Sequence, residues 1–280
     1  SMERALPLIV PAFWDYPGHT LRLIGITGTN GKTTISYLVR AILREAGRRV
    51  GLIGTIQTLI GDEKIPVHNT TPNVVDLQRL LARMVEAGMD YAVMEVSSHA
   101  LDQNRVAGCD FDTAVFTNLT QDHLDYHGTM EQYRAAKGKL FQSLAFGEKP
   151  SKTAVVNVDD PAGAFMLECA AVDHVTYAVQ AEDADLHAVD VRVHASGADF
   201  SVQGSFGRLK LRLKITGLFN VYNVLGAVGA ALAENLPLAA IEKALTAFPG
   251  VPGRFELVDC GQPFAVVVDY AHTPDGLENI

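Results

Sequence analysis

A glycine-rich turn between an apolar run and a helical pattern is the strongest constraint on how this 280-residue chain folds. Residues 21–27 are mostly apolar, and residues 33–46 place leucine and isoleucine at helical spacing. Between them lies the segment GTNGKTT, from Gly28 to Thr34. Glycines let backbone N–H groups approach phosphate oxygens, and a helix start contributes partial positive charge. The pattern therefore predicts a strand, a phosphate-binding loop and a helix.

The residue types in this loop suit a nucleotide with several phosphates. Lys32 supplies a full positive charge for the terminal phosphates, and the Thr33 hydroxyl is placed to bind Mg²⁺. The usual P-loop pattern has a glycine five residues before Gly31, where this chain has Ile26. The loop thus departs from that pattern at one position. The predicted nucleotide-binding residues here are Gly28, Thr29, Asn30, Gly31, Lys32, Thr33 and Thr34.

Before Asp185 the chain alternates short apolar runs with amphipathic helical patterns. Strands separated by helices form right-handed crossovers, which build a parallel sheet covered on both faces. After Asp185, closely spaced runs with period-two alternation predict a small antiparallel sheet. The predicted fold class is α/β, a mostly parallel doubly wound sheet with a small antiparallel sheet attached. The predicted strands are 21–27, 50–53, 91–96, 114–116, 154–158, 186–193, 199–202, 209–215 and 264–268, and the predicted helices are 33–46, 74–87, 130–146, 221–234 and 238–247.

Charge and cysteine content limit the classes of partner. The formal net charge of −9 disfavours nucleic acid and anionic membranes as binding partners. No apolar run approaches the roughly 20 residues that span a bilayer. Cys109, Cys169 and Cys260 are far apart in the sequence, which suits a reducing compartment better than a disulfide framework. We therefore expect a cytoplasmic protein without nucleic-acid or membrane partners, and a monomer by default.

Six sequence blocks resemble those of the Mur ligase family, in the order and form of its MurE branch. They are TGTNGKTT at 27–34, TTPN at 70–73, MEVSSH at 94–99, NLTQDHLDYHG at 118–128, YRAAK at 133–137 and VDYAHTPD at 268–275. Together they span nearly the whole chain. The related folylpolyglutamate synthetases share the first block but are not expected to carry EVSSHAL and DHLDYHG.

The resemblance implies a metal centre with four protein residues. Glu95 would bind Mg²⁺ together with Thr33 and the phosphates of ATP, and His123 would bind a second metal ion. Lys137 matches a lysine that reacts with CO₂ to form N6-carboxylysine, an anionic metal ligand. The implied catalytic residues are Lys32, Glu95, His123 and Lys137, with His127 and Asp125 in support. Without the resemblance, Glu95 could be a solvated residue at a strand end, His123 part of an acidic surface loop, and Lys137 a solvated lysine on an amphipathic helix.

The resemblance also implies binding positions for two substrates. Thr70, Thr71, Ser97, Gln103 and Arg105 match residues that bind a UDP-linked muramoyl dipeptide. Arg254 matches an arginine that contacts the ATP phosphates, and Asp269 matches the acid that holds the ribose. Asn220 and Asn223 would lie near the adenine, although their place at a helix start also suits capping.

The implied activity is an ATP-dependent ligase of peptidoglycan precursor synthesis. It would join a diamino acid, meso-diaminopimelate or L-lysine, to the D-Glu of UDP-N-acetylmuramoyl-L-Ala-D-Glu through an acyl phosphate. The implied organisation is a linker at 1–20, an ATP-binding domain at 21–250, and a hinge with the first strand of a Rossmann-like domain at 251–280. Such a piece is expected to be nearly inactive by itself.

Two other classes of function remain open from the sequence. One is an enzyme of different specificity, either a folylpolyglutamate synthetase or another Mur ligase. The other is a nucleotide-binding module without catalysis. The joint presence of Glu95, His123 and Lys137 argues against the module, because simple nucleotide binding does not require a second metal ion.

Overall fold

The protein, known here from a computed structural model, is described at residues 2–258, 260–262, 264 and 266–280. The helices are α1 Met2–Phe13, α2 Pro17–Thr20, α3 Lys32–Glu45, α4 Val74–Glu86, α5 Ser98–Asp102, α6 Leu124–His127, α7 Met130–Phe146, α8 Gly163–Cys169, α9 Leu218–Ala233, α10 Leu238–Ala247 and α11 Pro274–Asn279. The strands are β1 Arg22–Thr27, β2 Val50–Ile53, β3 Thr58–Ile60, β4 Glu63–Ile65, β5 Tyr91–Glu95, β6 Thr113–Phe116, β7 Thr153–Asn157, β8 Asp173–Ala178, β9 Leu186–His194, β10 Gly197–Gly204, β11 Gly207–Leu213, β12 Glu256–Leu257 and β13 Val267–Val268.

A mostly parallel sheet forms the framework, which confirms the predicted fold class. Its strand order is β11-β10-β9-β8-β7-β6-β1-β5-β2-β3-β4, and β1 lies in the interior between β5 and β6. Ile24 of β1 pairs with Val93 on one side and Thr113 on the other, both in parallel register. The adjacent parallel strands β8, β7, β6, β1, β5 and β2 therefore end at the same edge of the sheet, which we call the carboxyl edge.

Antiparallel strands extend both sides of this parallel centre. The predicted antiparallel strands β9, β10 and β11 join it because β9 pairs in parallel with β8 at Tyr177 and Leu186. Strand β11 alternates Arg208, Lys210 and Arg212 with buried leucines. On the other side, β3 and β4 form a hairpin that continues from β2, which the sequence analysis did not predict.

Helices cover both faces of the sheet and create two hydrophobic layers. Successive residues of a strand face opposite sides, so Ile24 joins the layer with α3 and α9, whereas Leu23 joins the layer with α7. Gly25 lies against Phe111, and a Cβ atom there would come within 2.8 Å of its ring. The tight packing fixes the position of β1, and with it the loop that follows at its carboxyl end.

Both ends of the chain carry helices. Residues 2–13, within the predicted linker, form α1 and pack against α4. The predicted strand at 264–268 includes Ala265, which lies outside the described residues; within that range β13 pairs with β12. Among the described helices, none combines the length and apolar character needed to cross a lipid bilayer.

Candidate active site

The predicted phosphate loop lies at the carboxyl edge, between β1 and α3, and its glycines are required by close contacts. Gly31, the N-cap residue of α3, has φ 88°, and Gly28 has φ 147°. A Cβ atom on Gly28 would come within 1.8 Å of Thr117 Oγ1, and one on Gly31 within 2.3 Å of Asn223 Oδ1. Side chains at these two positions would collide with the neighbouring elements, so the loop conformation depends on glycine.

Residues that follow β6 hold the loop from beside it. Thr29 N donates to the Asn118 carbonyl oxygen at 2.9 Å, and Asn30 N donates to Asn118 Oδ1 at 2.9 Å. Thr117 Oγ1 donates to the Asn30 carbonyl oxygen at 2.6 Å. The loop is therefore shaped before any phosphate binds, which reduces the entropic cost of binding one.

Lys32 is half-buried and folds back over the loop. Its Nζ donates to the carbonyl oxygens of Gly28 and Thr29 at 2.8 and 2.7 Å. Burial, together with the positive charge of Arg254, lowers the pKa of Lys32, while the carboxylates of Glu95 and Asp122 partly oppose this shift. A phosphate near the ammonium would supply the negative charge that favours the protonated form.

Glu95 is fully buried at the end of β5, and hydroxyl and amide groups surround its carboxylate. Thr33 Oγ1 and Thr55 Oγ1 each donate to Oε2 at 2.9 Å, and Thr55 N donates to Oε1 at 2.9 Å. Among the described residues Glu95 forms no salt bridge. A buried carboxylate without a cationic partner is costly, and hydroxyl and carboxylate oxygens are ligands that Mg²⁺ prefers. The residues present therefore fit a magnesium ion bound by Thr33 and Glu95.

Lys137 is the most deeply buried cationic side chain at this edge, at 1% exposure. Its Nζ donates to the carbonyl oxygen of Gly28 at 2.8 Å and lies 4.4 Å from the centre of the Tyr133 ring. Burial first, and then repulsion from Lys32, lowers the pKa of Lys137 well below its usual value. This environment favours the neutral amine, which is the form that can react as a nucleophile.

His123 lies beside this group at the start of α6, with φ 53°. Its ring meets the edge of His99 at 4.8 Å between centroids, and Nε2 lies 3.4 Å from Asp122 Oδ2. Burial lowers the pKa of His123, helped by His99 and Lys137 and opposed by Asp122. In the described part of the chain, no three His, Cys, Asp or Glu side chains are grouped as a metal centre requires. The second metal ion assigned to His123 therefore stays a prediction.

His127 and Asp125, named only as support, lie in the same short helix. His127 is buried, and its Nε2 lies 2.9 Å from Ser98 Oγ, so this side chain links α6 to α5. Asp125 occupies the first turn of α6. Among the described residues, we find no contact of either side chain with Glu95 or Lys137 that would make it a metal ligand.

One cavity of about 210 Å³ brings the predicted catalytic residues together. Its walls come from the phosphate loop, the end of β5, the loop before α6, and helix α7. The predicted residues that line it include Lys32, Thr33, Thr70, Glu95, Ser97, His123, Lys137 and Arg254. Residues from six separate parts of the sequence, near positions 32, 70, 95, 123, 137 and 254, thus line one cavity.

A second cavity, of about 260 Å³, lies beside the loop toward α9. Asn220 and Asn223 line this cavity and are buried. Asn223 Nδ2 donates to Asn220 Oδ1 at 3.0 Å, and Asn220 Nδ2 donates to the Thr216 carbonyl oxygen at 2.8 Å. These bonds fix the orientation of both amides. Asn220 and Asn223 lie inside α9, which begins at Leu218. They are therefore wall residues rather than helix caps.

The segment after residue 250 closes over both cavities. Arg254 Nη2 donates to Thr33 Oγ1 at 3.2 Å, and its guanidinium lies 4.7 Å from the centre of the Tyr270 ring. Asp269 lines the second cavity, and its carboxylate accepts from Phe255 N and Ala271 N at 2.6 Å each. Arg254 is thus placed at the phosphate loop, while Asp269 currently bonds to backbone amides of its own segment.

The predicted substrate-binding residues form a connected polar group. Thr71 Oγ1 donates to the Glu95 carbonyl oxygen at 2.8 Å and accepts from Ser97 N at 3.0 Å. Arg105 Nη1 donates to the Thr71 carbonyl oxygen at 3.1 Å, and its Nε donates to Gln103 Oε1 at 2.8 Å. The guanidinium is therefore held next to the threonine loop.

Sequence reasoning missed Thr55 and His99 as members of this site. Thr55 follows Gly54 after β2, and no pattern in the sequence distinguishes it from an ordinary loop threonine. His99 falls within one of the quoted blocks but was given no role; its ring packs against Tyr126 at 4.3 Å and against His123. Only the fold shows that both residues contact predicted site residues.

Comparisons with known proteins match most of the chain to one family. The family described as "Mur ligase middle domain" matches residues 26–231. The UDP-N-acetylmuramoyl-L-alanyl-D-glutamate–2,6-diaminopimelate ligase of Bacillus licheniformis is 51% identical, over 99% of this chain and 57% of that protein. The protein of the same name from Listeria monocytogenes is 46% identical over the same shares. The chain thus spans a little more than half the length of these relatives.

Solved structures agree in fold. A structure of a UDP-N-acetylmuramoyl-L-alanyl-D-glutamate–2,6-diaminopimelate ligase superimposes with a TM-score of 0.78 at 35% identity, covering 92% of this chain and 52% of the other. MurF from Acinetobacter baumannii gives a TM-score of 0.81 at 23% identity, over 99% of this chain and 56% of the other. The second similarity concerns the fold alone.

Proposed function

Because the chain belongs to the Mur ligase family, we propose that it is the ATP-binding part of an enzyme that extends a UDP-linked muramoyl dipeptide. The reaction joins a diamino acid to the D-Glu of UDP-N-acetylmuramoyl-L-Ala-D-Glu. The single observation that carries this proposal is the buried Glu95 carboxylate, hydrogen-bonded to Thr33 of the phosphate loop and to no cation among the described residues. The names of relatives near 50% identity supply the substrate class.

The proposed reaction has two steps. The D-Glu side-chain carboxylate attacks the terminal phosphorus of ATP, and ADP leaves, giving an acyl phosphate. The amine of the diamino acid then attacks the acyl carbon, and phosphate leaves as the amide forms. Lys32 and the loop N–H groups bind the phosphates, and Arg254 approaches them from the segment after residue 250. Mg²⁺, held by Thr33 and Glu95, would neutralise phosphate charge when bound.

The neutral amine favoured at Lys137 supports the proposed carbamate. The lone pair of the neutral amine attacks the carbon of CO₂, one proton leaves the nitrogen, and a neutral side chain becomes an anionic one. Lys137 would then complement a cation in the cavity that it shares with His123. The proposal includes His123 and the carbamate as ligands of a second metal ion.

The polar group around Thr71 supports the proposed binding of the dipeptide. Arg105 offers a guanidinium to a carboxylate or diphosphate, and Thr70, Ser97 and Gln103 add hydroxyl and amide groups beside it. In the second cavity, Asn220 and Asn223 would face the adenine and Asp269 the ribose. Nucleotide and dipeptide would then meet at Glu95, between the two groups.

The proposed domain organisation follows the predicted boundaries. Residues 21–250 form the ATP-binding domain, residues 1–20 connect it to a preceding part, and residues 251–280 begin the following part. We further propose that the protein acts as a cytoplasmic monomer, and that this part alone has little ligase activity because the following part would supply the amino-acid site and complete the closure over ATP.

Calorimetry of the UDP-muramoyl dipeptide tests the proposal. We expect binding in the presence of Mg²⁺ and a non-hydrolysable ATP analogue, and at least tenfold weaker binding by Arg105→Ala. Arg48→Ala is the matched control, because Arg48 is exposed and lies at the opposite edge of the sheet, before β2.

Three outcomes are distinguishable. Equal binding by Arg105→Ala would remove that residue from the substrate site. Nucleotide binding without dipeptide binding, both by this chain and by a protein of the relatives' full length, would favour a nucleotide-binding module. Binding of a folate in place of the dipeptide would indicate a folylpolyglutamate synthetase.

A further inference from the structure

The connection between β2 and β3 passes directly over the Glu95 carboxylate. A Cβ atom on Gly54 would come within 2.3 Å of Glu95 Oε1, so the backbone approaches closely because glycine is present. The next residue, Thr55, donates from its backbone N–H to Oε1 and from its hydroxyl to Oε2, at 2.9 Å each. One residue therefore contacts both oxygens of the proposed magnesium-binding carboxylate.

The direction of the hydrogen bonds around Thr55 follows from the number of protons available. Thr55 Oγ1 and Thr70 Oγ1 are 3.1 Å apart. A hydroxyl has one proton to donate, and Thr55 gives its proton to Glu95. Thr70 must then donate to Thr55, which makes a chain from Thr70 through Thr55 to Glu95.

A second chain reaches the same carboxylate oxygen from the nucleotide side. Arg254 Nη2 donates to Thr33 Oγ1 at 3.2 Å, and Thr33 Oγ1 donates to Glu95 Oε2 at 2.9 Å. Oε2 thus accepts one hydroxyl from the phosphate loop and one from the β2–β3 connection. Loss of the Thr55 hydroxyl would leave Thr33 as the one hydroxyl donor to Oε2 among the described residues, so the carboxylate would be held less firmly.

We propose that Thr55 is a positioning residue that couples the loop carrying Thr70 to the Glu95 carboxylate. Thr55 acts through Glu95, and the state of the Thr70 hydroxyl sets how well Glu95 is placed for Mg²⁺ bound with nucleotide. A dipeptide that engages Thr70 therefore changes the affinity for Mg²⁺ and nucleotide, and the reverse holds by linkage. This inference rests on the proposed function, because it takes Glu95 as the magnesium ligand.

The test measures Mg²⁺-dependent binding of ADP to this chain by calorimetry. Changes in residues that orient metal ligands commonly weaken metal affinity about 10- to 100-fold. We expect Thr55→Val to weaken Mg²⁺ affinity in the ADP complex about tenfold, with ADP affinity in EDTA unchanged. Thr55→Ser, which keeps the hydroxyl, should stay within about threefold of wild type.

Thr58→Val is the matched control for the loss of a hydroxyl. Thr58 lies three residues further along, is fully buried, and its Oγ1 has no hydrogen-bond partner among the described residues. We expect its Mg²⁺ affinity to equal that of wild type. If Thr55→Val fails to fold, as judged by thermal unfolding, Thr55→Ala provides the same comparison.

A double-mutant cycle tests the coupling itself. Thr70→Val should weaken Mg²⁺ affinity about threefold, and Thr55→Val with Thr70→Val should be no weaker than Thr55→Val alone. Unchanged Mg²⁺ affinity in Thr55→Val, or independent effects of the two changes, overturns the proposal while leaving the proposed function intact. A wild-type chain whose ADP affinity does not respond to Mg²⁺ overturns both.

Discussion

The two edges of the parallel sheet both bury ionisable side chains, but only at one of them do salt bridges pair these groups. The amino edge, where the strands begin, carries the salt bridges Asp110 with Lys152, Asp112 with Lys149 and Glu234 with Arg22. At the carboxyl edge, Glu95 and Lys137 are at least as deeply buried, and neither forms a salt bridge among the described residues.

This difference separates charges that stabilise the fold from charges kept for a ligand. Removing a charge from water costs several kcal/mol, and a buried partner offsets that cost only when both charges remain. An unpaired buried charge in a cavity is therefore retained where something else supplies the opposite charge. Mutations at the amino edge should therefore change the stability of the fold, and mutations at the carboxyl edge should change ligand binding.

The largest expected effect is at the amino edge. Asp112→Ala should lower the free energy of unfolding by about 3 to 5 kcal/mol, because it leaves the Lys149 ammonium buried without its partner. Asp112 also accepts from Leu23 N at 2.7 Å, so a backbone amide loses its acceptor. Urea denaturation measures the change. Asp62→Ala is the control, since that carboxylate is 82% exposed and its ion pairs should contribute less than about 1 kcal/mol. Equal effects at the two positions would contradict the comparison.

The next effect concerns binding at the carboxyl edge. Lys32→Ala should weaken ADP binding by about 2 to 3 kcal/mol, because the phosphates lose a charged hydrogen-bond donor. The free energy of unfolding should change by less than about 1 kcal/mol, since the hydrogen-bond partners of Nζ among the described residues are two loop carbonyl oxygens. Calorimetry and urea denaturation of the same sample test both parts. A variant that lost stability but retained ADP affinity would assign Lys32 to the fold instead.

A smaller effect, opposite in sign to that of Asp112, is expected at Lys137. Lys137→Met should raise the free energy of unfolding by about 1 to 3 kcal/mol at neutral pH in CO₂-free buffer, because an apolar side chain replaces an unpaired buried amine. Destabilisation by this change would show that Lys137 supports the fold through its bonds to Gly28 and Tyr133.

The same variant should also lose part of the pH dependence of stability. The pKa of Lys137 is lowered from 10.5, so between the lowered pKa and 10.5 the unfolded chain binds a proton that the folded chain does not. The free energy of unfolding therefore rises with pH between the lowered pKa and 10.5, by at most about 1.4 kcal/mol per pH unit. Urea denaturation from pH 7 to 9 should show a smaller rise in Lys137→Met than in wild type.

The smallest expected effect tests whether a buried polar group without a hydrogen-bond partner is by itself a sign of a binding site. Thr58 Oγ1 is buried without a hydrogen-bond partner among the described residues, but Thr58 is uncharged. Thr58→Val should raise the free energy of unfolding by about 0.5 to 1 kcal/mol, because it removes an unsatisfied hydroxyl. A loss of ADP binding in this variant would mean that buried neutral groups without partners, as well as charged ones, can mark a binding site.

The elements that the sequence predicted well are those with strong periodicity. The helix predicted at 33–46 is observed at Lys32–Glu45, and the family inferred from the six blocks is confirmed over residues 26–231. The hairpin of β3 and β4 was missed because β4 is only three residues long and begins with Glu63 and Lys64, both exposed and charged. Such a strand forms because a neighbour offers backbone partners, which periodicity does not report.

The site was predictable where a local pattern carries the chemistry. The phosphate loop follows from the order of glycine, lysine and threonine at one strand-to-helix junction. Lys137 could be singled out only through the family resemblance, because a lysine on an amphipathic helix is normally solvated. Its hydrogen bond to Gly28, more than a hundred residues away in the sequence, appears only in the fold. Thr55 had neither a local pattern nor a motif. Its contact with Glu95 depends on where β2 ends relative to β5.

The alternation of basic and apolar side chains along β11 affects how the protein behaves at high concentration. In the described part of the chain β11 pairs only with β10, so its other side offers unpaired backbone groups to another molecule. Arg208, Lys210 and Arg212 project from its solvent face. A copy of β11 docking there would set like charges against each other, which disfavours pairing. Growth of the sheet from chain to chain, the first step toward fibrils, is thereby hindered at this margin.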